Sequence, residues 1–379
     1  MARATLIIAA AQFAAHALPA QRTPAELPRL AQAFVDARVG ADSFSGVVLV
    51  ARNGTIQYQQ AAGLADRERG IAMQPDSKLQ IASVSKLYTQ IAIRQLEQAG
   101  KLALSDTVGK FLPEYPNAIV RSRVTIEQLL RHRSGVGSFW NERFVAQAPS
   151  IRTVRDYVEL FQTDSLLFEP GTGEAYSNGG FVLLGAIIER VSGMAYHDYV
   201  RAKILGPAGM SETLPYDSQI PRSNAAIGYT FQNFDGPLRG DRRLAGAGPR
   251  PGSERRDSAP VLRPASRGPR RSNAATQAGM SSPAGGDYST VGDFLKLAGA
   301  LLTHKLLDSA RTAAVLGPRY ASGQDFRSNG GGAGTNAEFS IFPSGEVIVV
   351  LSNYDPPAAT TVAQYLRSLV APPPAAAPH

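Results

Sequence analysis

The sequence predicts an α+β fold: an antiparallel sheet flanked by helices, built from the N- and C-terminal segments of the chain, with a mostly helical subdomain inserted between them. Two hairpin patterns carry that expectation. Near the start, the apolar run Gly46 to Ala51, the turn Arg52-Asn53-Gly54 and the returning stretch Thr55 to Ala61 read as two paired strands. Near the end, Ala337 to Phe342 and Glu346 to Leu351 flank Pro343-Ser344-Gly345 in the same way. The third observation is the stretch between them, where from Leu102 onward the pattern changes to short helices and loops. Two distant hairpins separated by helices point to one sheet assembled from both ends. Residues 24–100 and 285–370 are assigned to the sheet lobe and 101–284 to the helical lobe.

In chain order, Arg3 precedes the apolar run Leu6 to Ala15, and Ala15-His16-Ala17 or Leu18-Pro19-Ala20 offers small residues for cleavage. That is the layout of a secretory signal peptide over residues 1–20, so the protein is expected to be exported, periplasmic or secreted. No other apolar run approaches the ~20 residues a transmembrane helix needs. Pro24 opens a helix in which Leu27, Leu30, Ala31 and Phe34 share one face before Gly40. After the first hairpin, a helix begins at Ser83 and ends at Gly100. Thr125 caps a short helix through Leu130, Ile151 to Phe161 forms another, and Asn178 to Val191 is apolar almost throughout, as a buried helix would be. Tyr196 to Ile204 is a further helix, stopped by Gly206-Pro207. Ser289-Thr290-Val291-Gly292-Asp293 opens a helix through Leu302, and Thr360 to Val370 forms the last one. The Pro/Ala tail, residues 371–379, is expected to be disordered.

Composition excludes several chemistries. Of 379 residues, 44% are hydrophobic and 18% charged, which suits a globular protein with a large core. With no cysteine, thiol catalysis, disulfides and thiolate metal sites are ruled out. The five histidines, at 16, 132, 197, 304 and 379, fall at no helical metal-binding spacing, and no cofactor is expected. The net charge of +8 invites a nucleic-acid reading, but residues 236–273 hold ten Arg against three acidic residues, a net +7, which leaves about +1 for the rest. That stretch is rich in Arg, Pro, Gly and Ser and is expected to be a disordered insertion. No nucleic-acid partner is expected on the folded body.

Three stretches carry candidate chemistry. In Gln80 to Thr89, Ser83 and Lys86 lie three apart, on one face of a helix start. A serine hydroxyl needs a base within hydrogen-bond reach, and a lysine serves only when burial strips its proton. Alone, Ser-x-x-Lys also fits a solvated helix start. In Glu169 to Gly180, Tyr176 and Asn178 sit on a Pro/Gly loop ahead of the apolar helix. A phenol beside a lysine ammonium would give up its proton more easily and could act as base or shuttle, and a carboxamide both donates and accepts. In Ser328 to Phe339, Asn329, Gly330, Gly331 and Gly332 form a glycine-rich stretch, read as a loop, that would let backbone N–H groups approach a ligand.

Taken in this order, the three stretches resemble the serine β-lactamase and penicillin-binding protein superfamily. The likeness is greatest to class C β-lactamases, D-alanyl-D-alanine carboxypeptidases and β-lactamase-like esterases, and it runs from about Phe44 to Asp355. It extends over Gln95 to Pro113, Leu129 to Gly135, Pro170 to Gly193, Ser289 to Leu302 and Val347 to Asn353. The resemblance implies Ser83 as acylated nucleophile, Lys86 beside it and Tyr176 as proton-transfer partner. It also implies Asn178 as a substrate contact and the N–H groups of Ser83 and Gly332 as an oxyanion hole. The family's third motif usually opens with Lys or His, and here the matching triplet is read as Asn329-Gly330-Gly331. Asn carries no charge to pair with a substrate carboxylate, so neutral esters or amides are expected over β-lactams. The expectation is an exported serine hydrolase working through an acyl-enzyme on a small-molecule or peptide substrate. The alternative is a non-catalytic binder of cell-wall peptide or another ligand on the same fold.

Overall fold

The computed structural model describes residues 26–219, 223–232 and 268–370. The expected signal peptide, most of the 236–273 stretch and the 371–379 tail lie outside the described residues. A five-stranded antiparallel sheet combines both ends of the chain. Its strands are β1 (Gly46–Arg52), β2 (Thr55–Ala62), β3 (Phe326–Gly332), β4 (Thr335–Ile341) and β5 (Glu346–Ser352), in the order β2-β1-β5-β4-β3. The N- and C-terminal hairpins meet where β1 lies antiparallel to β5, with Val48 opposite Val350.

The helices that matter for the site are, in order, α1 (Glu26–Gly40), α2 (Lys86–Gln98), α3 (Ile126–Leu130), α4 (Val154–Glu159), α5 (Asn178–Ser192), α6 (Tyr196–Val200), α7 (Val291–Leu302), α8 (Ser309–Ala321) and α9 (Ala358–Val370). Local chemistry sets their ends. Thr125 and Gln128 form a reciprocal cap at α3, Thr153 and Asp156 do so at α4, and Thr290 caps α7. Gly193 closes α5 in the left-handed conformation, at φ 70°. α4 is shorter than the expected Ile151–Phe161 helix because its cap falls at Thr153. α8 is absent from the sequence reading; a break at Gly317, ahead of Pro318, interrupts its pattern.

Both faces of the sheet are covered, which explains the unbroken apolar run in β1. On the outer face, Val48, Val50, Ile348 and Val350 pack against Ala31 and Val35 of α1 and Val362 and Leu366 of α9. On the inner face, Val47, Leu49, Phe339 and Val349 join Leu87, Ile91, Phe181 and Phe294 in one apolar cluster. That cluster continues without a break into the helical part. α5 is apolar on all sides because it is buried on nearly all sides, with Phe181 to Leu184 inaccessible. No single helix among the described residues is long and apolar enough to cross a membrane.

The last part of the arginine-rich stretch is fastened to the sheet lobe. Arg271–Ser272 pairs with Tyr229–Thr230, and the Arg270 guanidinium lies over the rings of Phe231 (3.9 Å) and Tyr354 (3.7 Å) while pairing with Asp42 at 3.3 Å. Residues 268–273 therefore do not belong to a loose insertion.

Candidate active site

Ser83 sits in a tight 3-10 turn, Ala82–Ser85, that runs directly into α2. The turn brings Ser83 Oγ within 3.1 Å of Lys86 Nζ. Lys86 is 5% exposed and has two further partners: Asn178 Oδ1 at 2.8 Å, and the Ala284 carbonyl at 2.5 Å. Burial pulls its pKa down to about 7. The partner set orients the amine. Both carbonyl oxygens only accept, so a neutral Lys86 directs its two N–H bonds to them and leaves its lone pair for Ser83.

Tyr176 Oη donates to Ser83 Oγ at 2.6 Å, and its ring lies 4.8 Å from Lys86 Nζ. Its pKa moves up through burial, against a smaller opposite pull from the Ser83 hydrogen bond. The expected easier proton loss is not seen: desolvation moves the Tyr176 pKa up, and the Lys86 ammonium is not among the causes acting on it. Tyr176 is thus a neutral donor to Ser83 at pH 7, and Lys86, with a pKa of about 7, can hold or release a proton there. Asn178 opens α5; its Nδ2 donates to Ser138 Oγ at 3.2 Å while its Oδ1 holds Lys86.

Two contributors were not legible as site residues. The Ala284 carbonyl comes from a strap 198 positions away and leaves no side-chain signature. His132, with φ 56°, accepts the Ser177 N–H on Nδ1 at 3.1 Å and lies under the Tyr176 ring at 4.7 Å. Burial, then the nearby Lys86, pull its pKa down to about 4, so it supports Tyr176 as a neutral imidazole. Its placement next to a Gly/Ser turn was the available signal.

The opposite wall is β3, the open edge of the sheet, and it corrects the sequence reading in two ways. The expected glycine loop is a strand, followed by a two-residue turn at Ala333-Gly334. Register then sorts its side chains. Gly330 is opposite Ala337 and Ser328 opposite Phe339, both on the inner face with the nucleophile. A Cβ at Gly330 would stand 2.7 Å from Ser83 N and 2.4 Å from the Ile81 carbonyl, so only glycine fits this approach. Asn329, opposite Glu338, projects from the other face, and a Cβ at Gly331 would meet Pro356 there. Asn329 was expected at the site; the side chain on the nucleophile's face is Ser328.

The second correction concerns the free N–H. Phe342 N donates to the Glu346 carbonyl, so even-numbered residues of β4 bond β5 and odd-numbered ones bond β3. Thr335 is paired with Gly332, which commits the Gly332 N–H to the sheet. The Gly331 and Asn329 N–H groups face the open edge. The edge N–H groups flanking Gly330, which itself lies against Ser83, are therefore those of Gly331 and Asn329, not that of the expected Gly332. Among the described residues, no group of three or more His, Cys, Asp or Glu could hold a metal ion.

Comparison with known proteins gives the family. A family model described as Beta-lactamase matches residues 31–371. Penicillin-binding protein 4* of Bacillus subtilis is 36% identical over 194 residues, which are 50% of this chain and 42% of that protein. Esterase EstB of Burkholderia gladioli is 35% identical over 180 residues, 44% of this chain and 45% of that protein. The matches thus span less than half the length of either curated relative. The crystal structure of a penicillin-binding protein from Bacillus halodurans superposes with a TM-score of 0.71 at 26% identity, covering 88% of this chain and 99% of that one.

Proposed function

This chain belongs to the Beta-lactamase family of serine hydrolases, and from that premise we propose that it is an exported esterase or amidase that works through an acyl-enzyme on uncharged substrates. One observation carries the reading: Ser83 Oγ is bracketed by Lys86 Nζ at 3.1 Å and Tyr176 Oη at 2.6 Å, while the facing strand offers the serine hydroxyl of Ser328 where a cation would be needed to hold a carboxylate. The relative named as an esterase supports the ester side of this choice.

Neutral Lys86 takes the Ser83 proton as Oγ attacks the carbonyl carbon. The developing oxyanion lies between the Ser83 N–H, at the start of its turn, and the Gly331 N–H on the strand edge, each such donor being worth about 10²–10³ in rate. Tyr176, a neutral phenol at pH 7, hands its proton to the leaving oxygen or nitrogen and is reprotonated from the Lys86 ammonium through water, which resets both groups in the acyl-enzyme. Water then repeats the sequence on the acyl-enzyme and releases the acid.

The test is covalent labelling by a serine-reactive phosphonate, with turnover measured on short p-nitrophenyl esters, nitrocefin and D-alanyl peptides. Labelling at Ser83, with turnover greatest on the esters, is expected. Labelling that persists in Ser83→Ala overturns the assignment. The missing strand cation also favours a second reading, a ligand-binding protein without turnover. Mass spectrometry after incubation with penicillin and an activated ester would then find no adduct.

A further inference from the structure

The strap that reaches Lys86 does so at the tip of a tight turn. Ser282 and Gly285 exchange backbone bonds at 2.9 Å in both directions, which leaves Pro283 and Ala284 at the tip. Lys86 Nζ donates to the Ala284 carbonyl, and Thr89 Oγ1 donates to the Pro283 carbonyl at 2.7 Å. Lys86 and Thr89 lie three apart on α2, so one face of that helix meets two consecutive carbonyls. Thr89 is wholly buried and has one further partner, Tyr196 Oη, also at 2.7 Å.

The acceptors fix the direction of these bonds. A carbonyl oxygen only accepts, so the single hydroxyl hydrogen of Thr89 goes to Pro283, and Thr89 Oγ1 accepts from Tyr196. That second bond matters because a threonine within a helix can turn its hydroxyl back onto a carbonyl of the preceding turn. Tyr196 holds it toward the strap instead. Tyr196 is itself anchored, its N–H donating to Glu189 Oε1 of α5 at 2.9 Å. α5 also supports the tip directly. A Cβ at Gly185 would stand 2.2 Å from Pro283 Cγ, so the proline ring rests against bare helix backbone.

We infer that Thr89 and Tyr196 are positioning residues, two hydroxyls in series that set the Pro283-Ala284 tip so that Ala284 holds one N–H of Lys86 and the amine keeps its lone pair on Ser83. The inference rests on the reading of Ser83 and Lys86 given above. Neither hydroxyl touches the reacting atoms. What they control is one of three contacts of Lys86, the others being Ser83 Oγ and Asn178 Oδ1. With the tip displaced, one N–H of the amine loses its acceptor and is free to swing toward Ser83 in place of the lone pair.

The experiment measures kcat and KM on a p-nitrophenyl ester, and the rate of phosphonate labelling at Ser83, with each protein held well below its own thermal midpoint. The set is the wild type, Thr89→Val, Thr89→Ser, Tyr196→Phe, the double variant of Thr89→Val with Tyr196→Phe, and Gly185→Ala. Thr89→Val keeps the side chain's shape and deletes its donor, so kcat and the labelling rate should fall about 10-fold. Acylation and deacylation both use Lys86, so KM should stay within about twofold. Thr89→Ser restores the hydroxyl and should return kcat to within about threefold of the wild type. Tyr196→Phe should fall between these two, and the double variant should fall no further than Thr89→Val, because Tyr196 acts through Thr89. Gly185→Ala pushes on the tip with both hydroxyls in place and should lower kcat with KM again unmoved. A folded Thr89→Val with wild-type kcat, equal losses in Thr89→Val and Thr89→Ser, or multiplying losses in the double variant overturns the inference while leaving the Ser83 assignment intact. Absence of wild-type labelling removes the functional reading and this inference with it. If Thr89→Val does not fold, Tyr196→Phe and Gly185→Ala decide, and kcat unmoved in both overturns the inference.

Discussion

The two walls of the site are built on opposite plans. On the helical wall, Ser83, Lys86, Tyr176 and Asn178 are bonded to one another and backed by the Ala284 carbonyl and neutral His132. On the strand wall, β3 offers an open backbone edge, a glycine and a serine hydroxyl facing the nucleophile, and no charge on that face. The difference teaches where each property resides. Reactivity belongs to a bonded cluster around buried Lys86 in which every group depends on its neighbours, whereas substrate choice belongs to an edge strand where one side chain changes at little structural cost.

That division can be broken first at the helical wall. Ser83→Ala should remove turnover and phosphonate labelling, a loss of about 10³-fold or more. Lys86→Met should cost about 10²–10⁴-fold in kcat. It should also sharpen the comparison through stability. The folded Lys86 pKa of about 7 lies below the ordinary lysine value of 10.5, so between those values the native state binds fewer protons than the unfolded chain. Stability therefore rises with pH across this window, and the penalty is fully present below it. A calorimetric scan at pH 6 should find Lys86→Met melting higher than the wild type, the cost of a reactive amine having been removed. In the active protein the same pKa places the acid limb of kcat/KM near pH 7.

Next in size is the contact between the walls. Gly330→Val would drive a side chain into the backbone at Ile81 and Ser83, and the displaced nucleophile should lose about 10²-fold in kcat, read on the same ester. Ser328→Lys tests the strand wall alone. A charge-assisted bond to a substrate carboxylate, worth about 1.5–3 kcal/mol, should raise the nitrocefin-to-ester ratio about 10-fold or more. Asn329→Lys, on the far face, should leave that ratio where it was. The smallest effect belongs to neither wall: deletion of residues 236–267 should leave ester kinetics within about twofold, while a cut extended to 273 should lower the thermal midpoint by removing the Arg270 anchor.

Legibility in the sequence divides along the same line. Ser83 and Lys86 meet through helix spacing, a local rule, and Tyr176-Ser177-Asn178 precedes a strongly patterned helix. β3 was hidden because three glycines carry no alternating pattern, so a strand read as a loop and its register slipped by one residue. Asn329 and Gly332 were misassigned for that reason, since one step in a strand exchanges both faces and both edges. The two hairpins foretold the sheet correctly. The strap carbonyls and His132 were beyond reach because they act through backbone atoms, or through a ring brought in by tertiary packing.

The ring contact between Phe231 and Arg270 has a use of its own. It pins positions 231 and 270 side by side on the sheet lobe, so the two ends of any sequence joining them are held at one place. Such a junction is a splice point: a tag, an epitope or a second domain could be exchanged there as a cassette, giving the enzyme a new address with its chemistry unchanged.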